Sequence, residues 1–142
     1  MGRLDLETNM PLPAGETVWL VAEWILLAVW FTAAIVTMYP GLGRALYLSG
    51  GLFSSYGADL TFPAWFYIQL RRRPLRMLRW IRWLGGSPEL AAVSIFVVGL
   101  VAEISQLYWP RGIFRGTFDP FDIAAYGVSL LVCYSAEQVT PS

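Results

Sequence analysis

The sequence predicts an all-α integral membrane protein with about four transmembrane helices and one interfacial amphipathic helix. Of its 142 residues, 56% are hydrophobic and only 14% are charged, whereas a typical soluble domain has about 25% charged residues. A domain of this size keeps much of its surface exposed, so it could not hide so many apolar side chains from water. Apolar runs long enough to cross a bilayer also alternate with short polar segments along a single domain, residues 1–142.

The first predicted span covers residues 17–39. Its apolar run reaches the roughly 20 residues that a transmembrane helix needs, and Pro40, Gly41 and Gly43 then supply helix-breaking chemistry. The residues before it carry more acidic than basic side chains. We therefore expect a retained first span rather than a cleaved signal peptide.

The second predicted span covers residues 46–70 and is more polar than the first. Gly50, Ser54 and Ala58 repeat every four residues, a spacing that lets helix backbones approach closely inside a bilayer. We interpret these three small residues as a helix-packing face. A re-entrant or broken helix over residues 44–57 remains the alternative, because protein can cover irregular backbone at membrane depth.

Residues 71–84 are too rich in arginine to span a bilayer. Arginines at every third position, with leucine, isoleucine and tryptophan between them, predict an interfacial amphipathic helix over about residues 75–84. Anionic lipids are the expected partners of its basic face. Nucleic acid is not expected, since the net charge is zero and the segment lies between two spans. The arginines predicted to face lipid headgroups are Arg71, Arg72, Arg73, Arg76, Arg79 and Arg82.

The third and fourth spans are predicted over residues 88–109 and 120–138. The third opens with Ser87, Pro88 and Glu89, which are a capping residue, a first-turn proline and an acidic side chain near the positive helix end. By the positive-inside rule, the arginine segment lies in the cytoplasm. With four spans, both termini are then cytoplasmic, and we expect a multi-pass protein of the bacterial inner membrane.

One polar patch stands out near the opposite side of the predicted membrane domain. Glu103 and Gln106 share a helix face, and a charged side chain inside a membrane is seldom left without a partner. A purely structural role is one interpretation of these residues. Asp119 and Asp122 are typical of a helix N-terminus, and Glu103 with Gln106 is typical of a polar clasp, a pair of side chains that bonds one helix to another. A ligand-binding or catalytic role is the alternative. The candidate cluster consists of Asp59, Glu103, Gln106, Arg111, Arg115, Asp119 and Asp122.

The composition also limits which kinds of catalytic or metal site the chain can form. The chain has no histidine and a single cysteine, Cys133, and it shows no phosphate loop, metal-ligand spacing or nucleophile elbow. We therefore expect no metal, no cofactor and no catalytic residues, and the pattern favours a protein that is not an enzyme.

The stretch around the polar patch resembles a known family. The sequence VAEISQLYWPRGIFRGTFDPFDIAAYGVSLL is similar to the second half of VanZ-like membrane proteins, most strongly over residues 99–131. The resemblance aligns Glu103, Gln106, an arginine-bearing loop, the aspartate pair and Gly127 with the family pattern. It implies a small multi-span membrane protein, from a family associated with glycopeptide resistance. The chain lacks the histidine common in the family's second span and has Ala125 or Tyr126 where an asparagine is usual.

Two functions follow as expectations. The first is a non-catalytic accessory or structural subunit that packs against other integral membrane proteins in a larger assembly, for example a respiratory or photosynthetic one. The second is a VanZ-like envelope protein that binds or modifies a lipid-linked or glycopeptide ligand at its outer face.

Overall fold

A computed structural model describes residues 14–45, 52–72, 76–109, 111 and 118–140, and no strand occurs in these ranges. The described residues form five α-helices and one 3₁₀ helix. The bounds are α1 Ala14–Met38, α2 Pro40–Ala45, α3 Leu52–Arg71, the 3₁₀ helix Arg76–Gly85, α4 Pro88–Tyr108 and α5 Pro120–Val139.

Helix α1 ends where the sequence predicts, since the next element begins at Pro40. Helix α3 is continuous from Leu52 to Arg71, although it contains Pro63. Proline lacks a backbone N–H and crowds the carbonyl groups of the preceding turn. The carbonyl that loses its helical N–H donor is that of Asp59, four residues before Pro63. The Ser129 hydroxyl of α5 donates to the adjacent Leu60 carbonyl at 2.6 Å, so a neighbouring helix contacts this turn.

The predicted interfacial helix is a 3₁₀ helix of ten residues rather than an α-helix. Such runs rarely exceed four residues, but their period of 3.0 residues per turn matches the three-residue arginine spacing of this segment. Ile81 and Leu84 lie three residues apart and pack against the core. Trp80 and Trp83, also three apart, are 78% and 67% exposed. The triplet repeat therefore gives the segment separate core-facing and outward-facing sides.

Helices α4 and α5 begin with the predicted caps. The Ser87 side chain accepts a hydrogen bond from the Leu90 N–H at 3.1 Å, with Pro88 in the first turn. The Asp119 side chain does the same for the Phe121 N–H at 2.9 Å. Each cap satisfies a backbone donor that would otherwise have no partner at the helix start.

Helix α3 is the centre of the bundle. It contacts α1 on one side and α4 and α5 on the other, while α4 and α5 also contact each other. The main hydrophobic core lies where α3, α4 and α5 meet, around Tyr67, Ala91 and Leu130. Among the described elements, α1 contacts only α3 and the short α2. The first helix is therefore attached to the bundle along one face.

The bundle has two chemically different ends. At the arginine end, defined by Arg71, Arg72 and Arg82, lie the start of α1, the end of α3 and the end of α5, because Arg72 bonds both Glu16 and the Thr140 carbonyl. At the acidic end, defined by Asp59, Glu103, Asp119 and Asp122, lie the end of α4 and the start of α5.

Two of the helices, α1 and α4, are long and apolar enough to cross a membrane. Helices α3 and α5 have 20 residues each, but their polar residues include Asp59 and Gln69 in α3 and Asp122 and Glu137 in α5. Of the four predicted spans, the described helices thus show two by length and composition.

Candidate functional site

Four residues of the predicted polar cluster lie together at the acidic end. Asp59 comes from α3, Glu103 and Gln106 from α4, and Asp119 from the start of α5. Tyr126 of α5 joins them, because its hydroxyl lies 3.2 Å from Asp59 Oδ1 and 3.1 Å from Glu103 Oε1. One tyrosine therefore connects carboxylates of two different helices.

Glu103 is the most deeply buried member of the cluster, with 2% of its surface exposed. Its Oε1 accepts from Tyr126 and, at 3.3 Å, from Gln106 Nε2, and its Oε2 lies 3.5 Å from the Asp119 N–H. A buried carboxylate is costly unless it is hydrogen-bonded. These donors come from α4 itself and from α5, so Glu103 ties the end of one helix to the start of the next.

Asp119 combines a capping role with a contact to a third helix. Its Oδ1 caps α5, and its Oδ2 accepts from the Tyr56 hydroxyl of α3 at 3.3 Å. Asp122 is half-buried one turn further along, and its backbone N–H donates to the Asp119 carbonyl at 3.1 Å. The helix N-terminus interpretation of Asp119 is thus confirmed.

The arginines of the predicted cluster do not complete it. Arg111 is exposed, and in the ranges the structure covers the ion pairs involve Arg71 and Arg72 only. Arg115 lies outside the described residues. Arg111 forms no ion pair with Glu103.

The predicted small-residue face falls mainly outside the described residues. Gly50 is not covered, and neither is the side chain of Ser54, while Ala58 is half-buried. Two other glycines make the close approaches. A Cβ on Gly99 would lie 2.8 Å from the Tyr126 ring, and a Cβ on Gly85 would lie 2.2 Å from the Leu70 carbonyl oxygen.

At the arginine end, two of the predicted headgroup-facing arginines point into the protein instead. Arg71 donates to Glu137 through Nε, at 3.0 and 3.1 Å, and through Nη2. Its Nη1 donates to the Gly85 carbonyl at 2.7 Å, and the Tyr67 hydroxyl also donates to Glu137. The Arg71 side chain is 19% exposed and that of Glu137 is 7% exposed. This pair therefore joins α3, α5 and the end of the 3₁₀ helix.

Arg72 is more deeply buried than Arg71, with 9% of its side chain exposed. It pairs with Glu16 of α1 at 3.2 Å, lies 3.8 Å from Glu137, and stacks over Trp19 at 5.3 Å from the ring centre. The acids that neutralise both arginines lie more than fifty positions away in the sequence. Local spacing therefore could not show that these two side chains turn inward.

The remaining arginines of the segment are described only in part. Arg82 is exposed, as a headgroup-facing side chain would be. Arg73 lies outside the described residues, as do the side chains of Arg76 and Arg79.

A second polar contact crosses the interface of α1 and α3. Gln69 is 1% exposed, and its Nε2 donates to Glu23 Oε1 at 2.6 Å. Rings of the same two helices pack further along, with Trp30 and Phe62 5.8 Å apart between centres. Polar and aromatic contacts thus alternate along this interface.

No group of three or more histidine, cysteine, aspartate or glutamate side chains within the described ranges has an arrangement that could hold a metal ion. The best-formed depressions of the described surface are lined by apolar side chains and lie away from the acidic cluster.

Sequence reasoning missed three residues that complete these networks, namely Tyr67, Tyr126 and Glu137. Glu137 could have been suspected, because it is an acid at the end of a predicted span on the same side as the arginines. The tyrosines gave no such signal, since their role depends on how the helices are rotated.

Comparison of the chain with family models, curated proteins and solved structures finds no match.

Proposed function

We propose that the chain is a non-catalytic, multi-pass protein of the bacterial inner membrane that packs as an accessory subunit within a larger assembly of integral membrane proteins. One observation carries the membrane part of the proposal: the outside of the bundle is apolar and part of its inside is polar. Glu103, Gln69, Glu137, Ser129 and Thr61 are all buried. A soluble protein shows the reverse distribution.

The outward-facing side chains support the same conclusion. Every helix of 20 or more residues exposes large apolar residues, and α1 and α4 do so along their whole length. Contiguous apolar surface of this extent is rare on a soluble monomer. The exposed residues of α1 include Val18, Val21, Trp24, Ile25, Phe31, Ile35 and Met38, and those of α4 include Val93, Val97, Val98, Val101 and Leu107.

The subunit role rests on two features. Helix α1 is held along one face only, so most of its circumference is open to lipid or to a neighbouring helix. Glu103 of the acidic cluster, in contrast, is almost fully buried, and its acceptors are occupied by Tyr126, Gln106 and Asp119. A carboxylate in that state fixes helix packing and has no room for a substrate. Other integral membrane proteins and anionic lipids at the arginine end are the proposed partners.

The arrangement of the ends supports a topology with both termini in the cytoplasm. The start of α1 and the end of α5 lie at the same end as the arginine segment, and arginine-rich loops are retained in the cytoplasm. Four antiparallel spans, α1, α3, α4 and α5, would give this arrangement. A respiratory or photosynthetic assembly is one possible host.

A VanZ-like envelope protein is the second candidate. One specific observation favours it: Glu103, Gln106 and Asp119, which carry the resemblance, meet in space with Asp59 of α3. A lipid-linked or glycopeptide ligand would then bind at the acidic end, on the outer face. Asp122 and Arg111, which are half-buried and exposed, are the members of the predicted cluster that such a ligand could reach.

Extraction of the tagged chain from native membranes in a mild detergent tests the first proposal. We expect the chain to migrate with other membrane proteins in one large complex on a native gel. Recovery of the chain alone, at the size of a single copy, would contradict the subunit role. Recovery from the soluble fraction would contradict the membrane location.

A further inference from the structure

A groove runs along the outside of the bundle between α4 and α5. Its volume is about 380 Å³, and its walls expose apolar surface only. The lining residues are Glu89, Ala92, Val93, Phe96, Gly127, Leu130, Leu131 and Tyr134. The groove lies apart from the acidic cluster and from the ion pairs of the arginine end.

Small residues form the groove, and a tyrosine limits it. A Cβ on Gly127 would lie 3.6 Å from the Phe96 ring, an ordinary contact, so this glycine leaves space that a side chain could fill. One turn further toward the acidic end, the Tyr126 ring fills the equivalent space over Gly99, since a Cβ there would lie 2.8 Å from it. The groove is therefore open near Gly127 and filled near Gly99.

The other limit of the groove is polar. Glu89 is exposed at the start of α4, and the Tyr134 hydroxyl donates to its Oε1 at 3.2 Å. Arg71 and Arg72 pair with Glu137 and Glu16, and Glu89 takes part in none of the ion pairs formed by the described residues. The groove thus combines an apolar channel with one negative charge at its mouth.

The groove is short enough to lie within one leaflet of a bilayer. From Glu89 to Phe96 the groove follows seven residues of α4, which correspond to about 10 Å at 1.5 Å per residue. One leaflet of hydrocarbon is about 15 Å deep. With the arginine end at the cytoplasmic surface, Glu89 lies near the headgroups and Phe96 toward the middle of the membrane.

We propose that this groove binds one acyl chain of a phospholipid whose primary-amine headgroup pairs with Glu89. The proposal rests on the membrane location proposed above, and it adds a lipid-binding site of the cytoplasmic leaflet. The apolar walls accept the acyl chain, and the ammonium group supplies a direct salt bridge to the Glu89 carboxylate, which is exposed and forms none with the described arginines. A single lipid molecule would thus contact both the apolar walls of the groove and the Glu89 carboxylate.

A transmembrane helix of a partner fits the groove less well. A helix with its side chains is about 10–12 Å across and packs along much of its length. The groove is short, because its α4 lining runs only from Glu89 to Phe96 and the Tyr126 ring packs over Gly99 on the next turn. An acyl chain is thin and flexible enough to follow a short depression of this kind.

Filling the groove tests the site. We expect Gly127→Leu to reduce the phospholipid retained by the purified protein about tenfold, because the new side chain occupies the place of the acyl chain. Val128→Leu is the matched control, since Val128 is 56% exposed and does not line the groove. The measurement is native mass spectrometry of protein released from nanodiscs that contain equal amounts of phosphatidylethanolamine and phosphatidylglycerol.

The headgroup preference is tested by Glu89→Gln, which keeps an acceptor for Tyr134 but removes the charge. We expect Glu89→Gln to retain less phosphatidylethanolamine than the wild type, while both proteins retain the same amount of phosphatidylglycerol, the anionic lipid that the arginine end is proposed to bind. Equal retention of phosphatidylethanolamine by the two proteins would overturn the amine pairing. Unchanged retention in Gly127→Leu would overturn the groove itself.

A photoreactive residue at Val93, which is 59% exposed on the groove wall, identifies the occupant in living cells. A cross-link to a phospholipid supports the proposal, and a cross-link to another polypeptide overturns it. The proposed function fails separately: a chain that does not enter nanodiscs refutes the membrane location, whereas a chain that enters them with unchanged lipid retention in the variants refutes only the groove.

Discussion

Substitution of Glu103 distinguishes a packing clasp from a functional carboxylate. Glu103→Ala removes the acceptor of Gln106 Nε2 and the acceptor nearest to the Asp119 N–H, while Tyr126 can still donate to Asp59. Leaving a buried polar group without its partner costs about 1–3 kcal/mol. Because Glu103 is 2% exposed, the truncation also leaves a cavity, which adds to this cost. We expect Glu103→Ala to lower the thermal unfolding temperature and the yield of intact complex.

Glu103→Gln gives a different expectation. The glutamine carbonyl can occupy the place of Oε1 and accept from Tyr126 and Gln106 at 3.1 and 3.3 Å. The contact that is lost is the longest one, 3.5 Å to the Asp119 N–H. The cost should therefore lie near the lower limit for a hydrogen bond, about 0.5–1 kcal/mol.

The assay is thermal unfolding in detergent, followed by tryptophan fluorescence, together with the yield of complex from native membranes. Ile104→Ala is the control, because Ile104 is adjacent and 41% exposed. Wild-type stability of Glu103→Ala would refute the clasp. A variant Glu103→Gln that folds and assembles normally, yet lacks an activity that the wild type has, would instead support the ligand-binding alternative, because a carboxylate in acid–base chemistry cannot be replaced by an amide.

Two further predictions concern topology and backbone packing. The topology is tested with single cysteines placed at Trp80 or at Arg111 in a Cys133→Ser background. A membrane-impermeant reagent should label these two positions from opposite sides of the membrane. Labelling of both from one side would refute the four-span topology. Gly85→Ala should lower the free energy of unfolding by about 1–3 kcal/mol, because its Cβ would lie 2.2 Å from a backbone oxygen. Gly41→Ala, where nothing lies within 4 Å, is the control for the same melting measurement, and equal melting temperatures for the two variants would refute this packing.

Much of the local structure could be predicted from the sequence. The caps at Ser87 and Asp119 follow from short-range hydrogen bonding, so the starts of α4 and α5 were predictable to within a residue. The amphipathic segment after Pro74 was also recognisable, because arginine recurs at every third position. Its 3₁₀ form was not predicted, although the same spacing equals the 3₁₀ repeat and differs from the 3.6 residues of an α-helix.

Long-range partners could not be predicted in the same way. A cluster of arginines predicts an interfacial location when only the local sequence is considered, and for Arg82 the structure agrees with it. Arg71 and Arg72 differ because α1 and α5 bring Glu16 and Glu137 within hydrogen-bond distance. A carboxylate within reach offers a stronger interaction in a low-dielectric setting than a hydrated headgroup does.

The position of the polar contacts explains why so few residues can determine this fold. In the membrane location proposed here, lipid tails are as apolar as leucine, so burial of apolar side chains does not drive helices together. Specific bonds between helices must then supply the register. Here Glu137 joins α5 to α3 at the arginine end, and Tyr126 joins α5 to α3 and α4 at the acidic end. Helix α5 is thereby held at both ends, and in its middle the Ser129 hydroxyl bonds the Leu60 carbonyl of α3.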